Sequence, residues 1–264
     1  MNSSETDLDS LSLDQLKQVY SMNFNTAAGM NPSDKADRVR LVAVYGRNLE
    51  LARRIYAKEH DADTLHLLVE SYLDLLDVMD TGVPDYDDLA EHARVYAEQL
   101  ADTAADLYSY QQLDSALTYV GMHADRHALE ETLKMRIKTE KKILQLESSV
   151  NHKILLGDTC RELMSLYYED GRLAEAIRLC RQCVELDDQA AREDTDKNNQ
   201  QINTEILFQD YSNLVYLLLE NGDDDEAWYI YVGKKVYQYP FEDEGAKQLN
   251  TRIQEYFLGH KKTE

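Results

Sequence analysis

Apolar residues recur every three or four positions along most of the chain, which is the spacing of one face of an α-helix. The clearest stretch begins at Leu173 and continues with apolar or small residues at Ala176, Ile177, Cys180, Cys183, Val184 and Leu186. No stretch shows the strong alternation of apolar and polar residues that is typical of a half-buried β-strand. The pattern therefore predicts an all-α protein.

A second pattern repeats over longer distances. A leucine followed four residues later by a tyrosine occurs at Leu16/Tyr20, Leu68/Tyr72 and Leu163/Tyr167, and Tyr119 and Leu218 continue the series at intervals of about 50 residues. Residues four apart lie on the same side of a helix and can pack together against a neighbouring helix. The recurrence predicts a stack of similar helix pairs.

The turn signals divide the chain into helical hairpins. We expect a disordered tail over 1–10 and then a single domain over 11–260, with hairpins at about 11–60, 62–101, 103–148, 150–190 and 202–239 and a capping helix at about 244–258. The capping helix would cover the apolar face that the last hairpin leaves exposed. The polar segment 188–204 is expected to be a helix end followed by a loop.

The unit over 158–187 has the most specific spacing. Leu163, Tyr167, Gly171 and Ala176 occupy the large, tyrosine, turn-glycine and small positions of a tetratricopeptide repeat, and a second unit matches through Tyr211, Leu214, Leu218, Gly222, Ala227 and Tyr231. The chain thus resembles the tetratricopeptide repeat (TPR) family, most clearly over about 158–240. The resemblance implies a right-handed α-α superhelix of TPR-like helical hairpins. The family repeat is about 34 residues long, so the repeats here are long and irregular.

The resemblance also implies a binding surface, because the first helix of each repeat lines a concave groove in the family. Carried over to this sequence, that face contains Arg161, Ser165, Tyr168, Gln209, Asn213 and Tyr216. An asparagine amide can both donate to and accept from a peptide backbone, an arginine can pair with a carboxylate, and tyrosines can pack against apolar side chains. The alternative is that this face is only solvated.

The net charge of the chain excludes some classes of binding partner. The chain has 50 acidic and 28 basic residues and a net charge of −22, which argues against binding to nucleic acid or to an anionic membrane. A basic or neutral protein or peptide is the expected partner, and homo-oligomerisation is left open. The first residues do not form a signal peptide and no apolar window is long enough to span a membrane, so we expect a cytoplasmic location.

Few residues of the sequence are candidates for metal binding or catalysis. Cys160, Cys180 and Cys183 fit small packing residues better than a zinc site, which needs a fourth ligand. His123 and His127 lack the glutamate of a zinc-protease motif, and the acidic run 221–226 lacks the ligand pattern of a calcium loop. We therefore expect no metal, no cofactor and no catalytic residues, and hence a binding scaffold. The alternatives are a peptide-sensing regulatory protein without a recognisable output domain and an enzyme with an acid–base site hidden among the helices.

Overall fold

In a computed structural model of the chain, which describes residues 8–260, all regular secondary structure is helical. Eleven α-helices lie within this range: α1 (Leu13–Ala27), α2 (Lys35–Lys58), α3 (Ala62–Val78), α4 (Tyr86–Ala104), α5 (Leu107–Gly121), α6 (Arg126–Leu146), α7 (Val150–Glu169), α8 (Leu173–Glu193), α9 (Lys197–Asn221), α10 (Asp224–Gly233) and α11 (Glu244–His260). Short 3-10 helices span Leu8–Ser10 and Val236–Gln238. The predicted all-α class is confirmed.

The chain divides into two compact units, Met1–Thr132 and Leu133–Glu264. In the first unit, each helix from α1 to α4 packs on the next, and α3 also packs on α5. In the second unit, α7 packs on α8, α8 on α9, and α9 on both α10 and α11. Consecutive helices thus form hairpins, whereas the single domain over 11–260 and the right-handed superhelix stay predictions.

The sequence predicts a disordered tail over residues 1–10. Its first seven residues lie outside the described part of the chain. The remaining three form the 3-10 helix Leu8–Ser10, where the Asp9 carboxylate accepts a hydrogen bond from Arg54 Nε at 2.8 Å. At this end, the described residues contact α2, and the disordered tail stays a prediction.

The repeated leucine–tyrosine pairs lie in the cores of their units. Leu16, Leu68, Leu163 and Leu218 are buried, as are the tyrosines of the three complete pairs, Tyr20, Tyr72 and Tyr167. Tyr119 is half-buried. The recurrence therefore marks positions where each helix turns its apolar side toward its neighbours.

The polar segment 188–204 contains more helix than its composition suggests. Helix α8 continues to Glu193, and α9 begins at Lys197, so the expected loop is reduced to three residues. Asp196 makes the early start of α9 favourable, because its carboxylate accepts hydrogen bonds from the backbone N–H groups of Asn198 and Asn199 at 2.8 and 3.2 Å.

Two glycines terminate helices in the left-handed region. Gly171 follows α7 with φ of 71°, and Gly222 follows α9 with φ of 83°. At the second site, the Asp223 N–H reaches back to the Leu218 carbonyl at 2.8 Å, which closes the end of the helix. Residues with a Cβ rarely adopt this backbone conformation.

Replacing Gly222 by alanine is expected to lower the free energy of unfolding of the second unit by about 1 kcal/mol. A Cβ at this position would meet no atom within 4 Å, so the cost is conformational and not steric. Urea denaturation would measure it. Gly222→Asn serves as the control, because asparagine tolerates positive φ better than alanine does. An alanine variant as stable as the wild type would contradict the prediction.

Within residues 8–260, no helix combines the length and apolar composition that crossing a lipid bilayer requires.

Candidate functional site

A groove in the second unit collects most of the residues that the sequence singles out. It encloses about 400 Å³ and is lined by Met164, Ser165, Tyr168 and Glu169 of α7, by Asn213, Tyr216 and Leu217 of α9, and by Leu249 of α11. We call this surface the tyrosine groove. Its walls combine aromatic rings, an amide, a hydroxyl and aliphatic side chains, as protein-binding surfaces commonly do.

Two tyrosines from different helices meet in the tyrosine groove. The hydroxyl oxygens of Tyr168 and Tyr216 lie 3.2 Å apart, and the rings meet edge to face with centroids separated by 6.1 Å. Tyr168 is 38% exposed, so part of its ring is available to a partner. The hydrogen bond to Tyr168, followed by burial, raises the pKa of Tyr216 to about 12, so this phenol stays neutral at physiological pH.

The polar groups of the tyrosine groove differ in whether they already form hydrogen bonds within the chain. The Ser165 hydroxyl donates to the Arg161 carbonyl at 3.0 Å, within its own helix. The Asn213 side chain is half-buried and makes no hydrogen bond to the described residues. An amide in this position can both donate to and accept from a peptide backbone.

Arg161 lies beside the tyrosine groove and is engaged in an ion-pair network. Its guanidinium bonds to Asp158 at 2.8 Å, to Asp187 at 2.7 Å and to Asp210 at 2.9 Å, which ties α7 to α8 and α9. Burial alone would lower the pKa of Arg161, but the charges of Asp210 and Asp187 outweigh it and raise the pKa. The carboxylate partner foreseen for Arg161 therefore comes from the chain itself.

The two buried carboxylates of this network share one guanidinium. Asp187 and Asp210 have side chains that are 3% and 1% exposed. Burial, followed by the hydrogen bond to Asp187, raises the pKa of Asp210 to about 8, although Arg161 opposes the shift. Two carboxyl groups in contact retain a proton more readily than one alone, because like charges repel.

The structure thus brings together four of the six predicted groove residues and leaves two outside the lining. Ser165, Tyr168, Asn213 and Tyr216 line one cavity, whereas Arg161 and the half-buried Gln209 do not. Helical periodicity did not identify Met164 and Leu217, which lie one position from predicted residues. Leu249 comes from α11, where its apolar spacing predicts the capping helix but not a place in the groove.

The cysteines fill the space where α7, α8 and α9 approach one another. Cys160, Cys180 and Cys183 are free and fully buried. Cys183 Sγ lies 3.6 Å from the Gly157 carbonyl, and Cys180 Sγ lies 3.6 Å from the Asp210 carbonyl. In the part of the chain that the structure describes, no group of three or more histidine, cysteine or acidic side chains is arranged to hold a metal ion.

Comparisons with known proteins place the chain only broadly. No protein-family model matches the sequence, and no curated protein matches it either. The crystal structure of BtubC (BKLC) from P. vanneervenii is similar with a TM-score of 0.38 and 16% identity, over 84% of this chain and 93% of that one. A de novo designed helical repeat protein, DHR64, is similar with a TM-score of 0.24 and 15% identity, over 92% of this chain and 95% of that one.

Both likenesses lie below a TM-score of 0.5, so the all-α class of this chain rests on its own helices. Membership of the tetratricopeptide repeat family, which the residues over about 158–240 suggest, stays a prediction.

Proposed function

We propose that the chain is a protein- or peptide-binding scaffold, and that the tyrosine groove holds an extended segment of its partner. The observation that carries the proposal is the half-buried Asn213 amide, which is free of hydrogen bonds to the described residues and lines the same groove as Tyr168 and Tyr216. An amide in a groove that also exposes aromatic rings suits a peptide, because the peptide backbone needs hydrogen bonds and its side chains need apolar contact.

The charge around the tyrosine groove favours a basic or neutral partner. Glu169 lies in the lining, and Glu220 is close enough to contribute to the raised pKa of Tyr216. Arg161, which could have attracted an acidic partner, is already paired with three aspartates. Negative charge at the tyrosine groove disfavours an acidic segment.

A catalytic role for the buried carboxylates is not part of this proposal. Asp210 has the strongly raised pKa that often marks a catalytic acid, but a general acid must also lie within hydrogen-bond reach of a substrate. Asp187 and Asp210 are both enclosed and face Arg161. We infer that they hold three helices together and that the chain acts by binding.

The double variant Tyr168→Ala/Asn213→Ala is expected to weaken peptide binding at least tenfold, which corresponds to about 1.4 kcal/mol. It removes one aromatic surface and the free amide while leaving the core of the unit in place. Peptides selected on the wild-type protein from a random display library would supply the probes. Fluorescence anisotropy would then measure the affinity of each selected peptide for both proteins.

The matched control is Tyr229→Ala/Asn198→Ala, which removes the same two side-chain types from exposed positions on α10 and α9. Circular dichroism would verify that both variants are folded. The assignment of the tyrosine groove fails if the selected peptides bind the groove variant and the control with equal affinity.

A further inference from the structure

A second cleft lies between α10 and α11 in the second unit. It encloses about 480 Å³ and is lined by Trp228, Tyr231 and Val232 of α10, by Tyr237 of the 3-10 helix that follows, and by Gln254, Phe257 and Leu258 of α11. We call it the aromatic cleft. It shares no lining residue with the tyrosine groove. Its volume falls within the range of about 300–1,000 Å³ in which protein pockets enclose a bound group.

Contacts within the chain hold the walls of the aromatic cleft in place. The Tyr231 hydroxyl of α10 donates a hydrogen bond to Asn250 Oδ1 of α11 at 2.9 Å. The Trp228 ring meets the buried Phe257 ring edge to face, with centroids 4.9 Å apart. The aromatic cleft is therefore formed before any partner arrives, so binding does not have to order its walls.

Large hydrophobic side chains at the rim of the aromatic cleft are exposed to solvent. Leu258 is 67% exposed, and Trp228, Val232 and Tyr237 are exposed to a smaller extent. Tyr229, which follows Trp228 on α10, is 77% exposed and makes no ring contact or hydrogen bond with the described residues. A contiguous apolar patch of this kind marks an interaction surface.

A projecting ring lies directly beside the aromatic cleft on the same helix. Tyr229 is three positions from Val232, so both project from one side of α10. In a two-fold symmetric dimer, both copies use the same patch, and that patch must therefore contain a projection together with the recess that receives it. Tyr229 and the aromatic cleft meet this requirement.

The exposed side of α10 is flanked by opposite charges. Asp225 lies five positions before Ile230, and Lys235 lies five positions after it. Both side chains are exposed, and neither forms a salt bridge with a described residue. When two copies of α10 pack antiparallel with their centres at Ile230, Asp225 of each copy faces Lys235 of the other. The helix is thus complementary in charge to a second copy of itself.

The same register aligns the apolar residues of the two helices. Trp228 and Val232 are each two positions from Ile230, so they face each other across the interface. Tyr229 and Tyr231 are each one position from Ile230, and Tyr231 lines the aromatic cleft. One antiparallel register therefore brings Tyr229 of each copy to the aromatic cleft of the other while it pairs the charges.

The local charge also favours this face for contact between copies. Residues 228–241 contain two lysines and no acidic residue, although the chain as a whole has a net charge of −22. Repulsion between the other surfaces of two copies is screened beyond about 8 Å at physiological ionic strength. Two copies can thus approach here with little electrostatic cost.

We propose that the chain forms a two-fold symmetric homodimer, in which α10 packs antiparallel on α10 of a second copy and Tyr229 of each copy enters the aromatic cleft of the other. Asp225 and Lys235 pair across the interface and fix the register. This interface is independent of the partner proposed for the tyrosine groove.

Sedimentation equilibrium of the wild-type protein over a range of concentrations tests the association. We expect a monomer–dimer equilibrium between one chain of 30.5 kDa and twice that mass, with a Kd on the order of micromolar. The fluorescence of Trp228 is expected to shift to shorter wavelength over the same range, because dimerisation covers its exposed edge. A protein that keeps the mass of one chain at every concentration would overturn the proposal.

Tyr229→Ala locates the interface. This variant changes an exposed side chain, so it is expected to fold normally and to weaken dimerisation at least tenfold. The control Phe24→Ala removes an exposed aromatic ring from the first unit and is expected to change the Kd less than twofold. Circular dichroism would verify the fold of both. A dimer that Tyr229→Ala weakens no more than the control does would place the contact elsewhere and overturn the proposal.

Charge reversal tests the antiparallel register. Asp225→Lys and Lys235→Asp each place like charges opposite one another in the dimer, so each variant alone is expected to dimerise at least tenfold more weakly than the wild type. Aspartate tolerates the positive φ of Lys235, which is 56°. In an equimolar mixture of the two variants, both charge pairs are restored with their signs exchanged in one of them, and we expect heterodimers to form at least tenfold more tightly than either homodimer. A mixture that associates no better than the separate variants would overturn the proposal.

Discussion

Replacing Arg161 by alanine is expected to lower the free energy of unfolding of the second unit by about 3–5 kcal/mol. The guanidinium bonds to Asp187 and Asp210, whose side chains are 3% and 1% exposed. Without it, the buried Asp187–Asp210 pair loses its cation in a region of low polarity. Removing one partner of a buried ion pair costs more than the pair contributes, because the remaining charge is left desolvated.

The single tryptophan of the chain makes this measurement specific to one unit. Trp228 lies in α10 of the second unit, so its fluorescence during urea denaturation follows the unfolding of that unit. Arg181→Ala is the matched control, because Arg181 pairs with Glu226 at 2.8 Å while both side chains are largely exposed. An exposed pair contributes only about 0–1 kcal/mol. If Arg161→Ala costs no more than Arg181→Ala, the network does not hold the unit together.

Arg161 also shows what helical periodicity can and cannot predict. Its position relative to Leu163 and Tyr167 correctly places it on α7, close to Ser165 and Tyr168. Periodicity says nothing about residues that are distant in sequence, and the two buried partners lie on α8 and α9. The sequence predicted an arginine that could pair with a carboxylate of a partner, and the fold supplies carboxylates from the chain itself.

The helices themselves were more accessible to sequence analysis than the groove was. The leucine–tyrosine pairs and the two left-handed glycines are local signals, because each depends on neighbours within one turn. The start of α9 at Lys197 was hidden by a run of polar residues, and Leu249 reaches the tyrosine groove only through the packing of α11 on α9. The start of α9 has a local signal in its Asp196 N-cap, whereas the place of Leu249 depends on a tertiary contact that no local pattern encodes.

The two clusters of carboxylates differ in a way that composition could not reveal. The chain has 50 acidic residues, so spacing alone does not distinguish Glu70, Asp74 and Asp77 from any other acidic helix surface. In the second unit, Arg161 neutralises Asp187 and Asp210 internally. In the first unit, burial and the charges of Glu70 and Asp77 raise the pKa of Asp74 to about 6, and no basic residue among the described ones opposes that shift.

Asp210 is expected to make the free energy of unfolding of the second unit decrease as the pH rises from about 4 to about 8. Burial and the hydrogen bond to Asp187 raise the pKa of this carboxyl from 3.8 to about 8, while Arg161 acts in the opposite direction. Between these two pH values the folded state keeps a proton that the unfolded state has released. Unfolding then releases a proton, so a higher pH favours the unfolded state by up to about 1.4 kcal/mol per pH unit.

Asp210→Asn isolates this contribution, because asparagine is isosteric with the protonated carboxyl and cannot ionise. Urea denaturation followed by Trp228 fluorescence from pH 5 to pH 9 would give the free energy of unfolding of both proteins. The other ionisable groups are common to the two proteins, so the difference reports on Asp210 together with its contact to Asp187. We expect the variant to gain stability relative to the wild type steadily toward pH 8 and to level off above it. A difference that stays constant over this range would mean that Asp210 is already ionised beside Arg161, and the network would then be an ordinary ion pair without a retained proton.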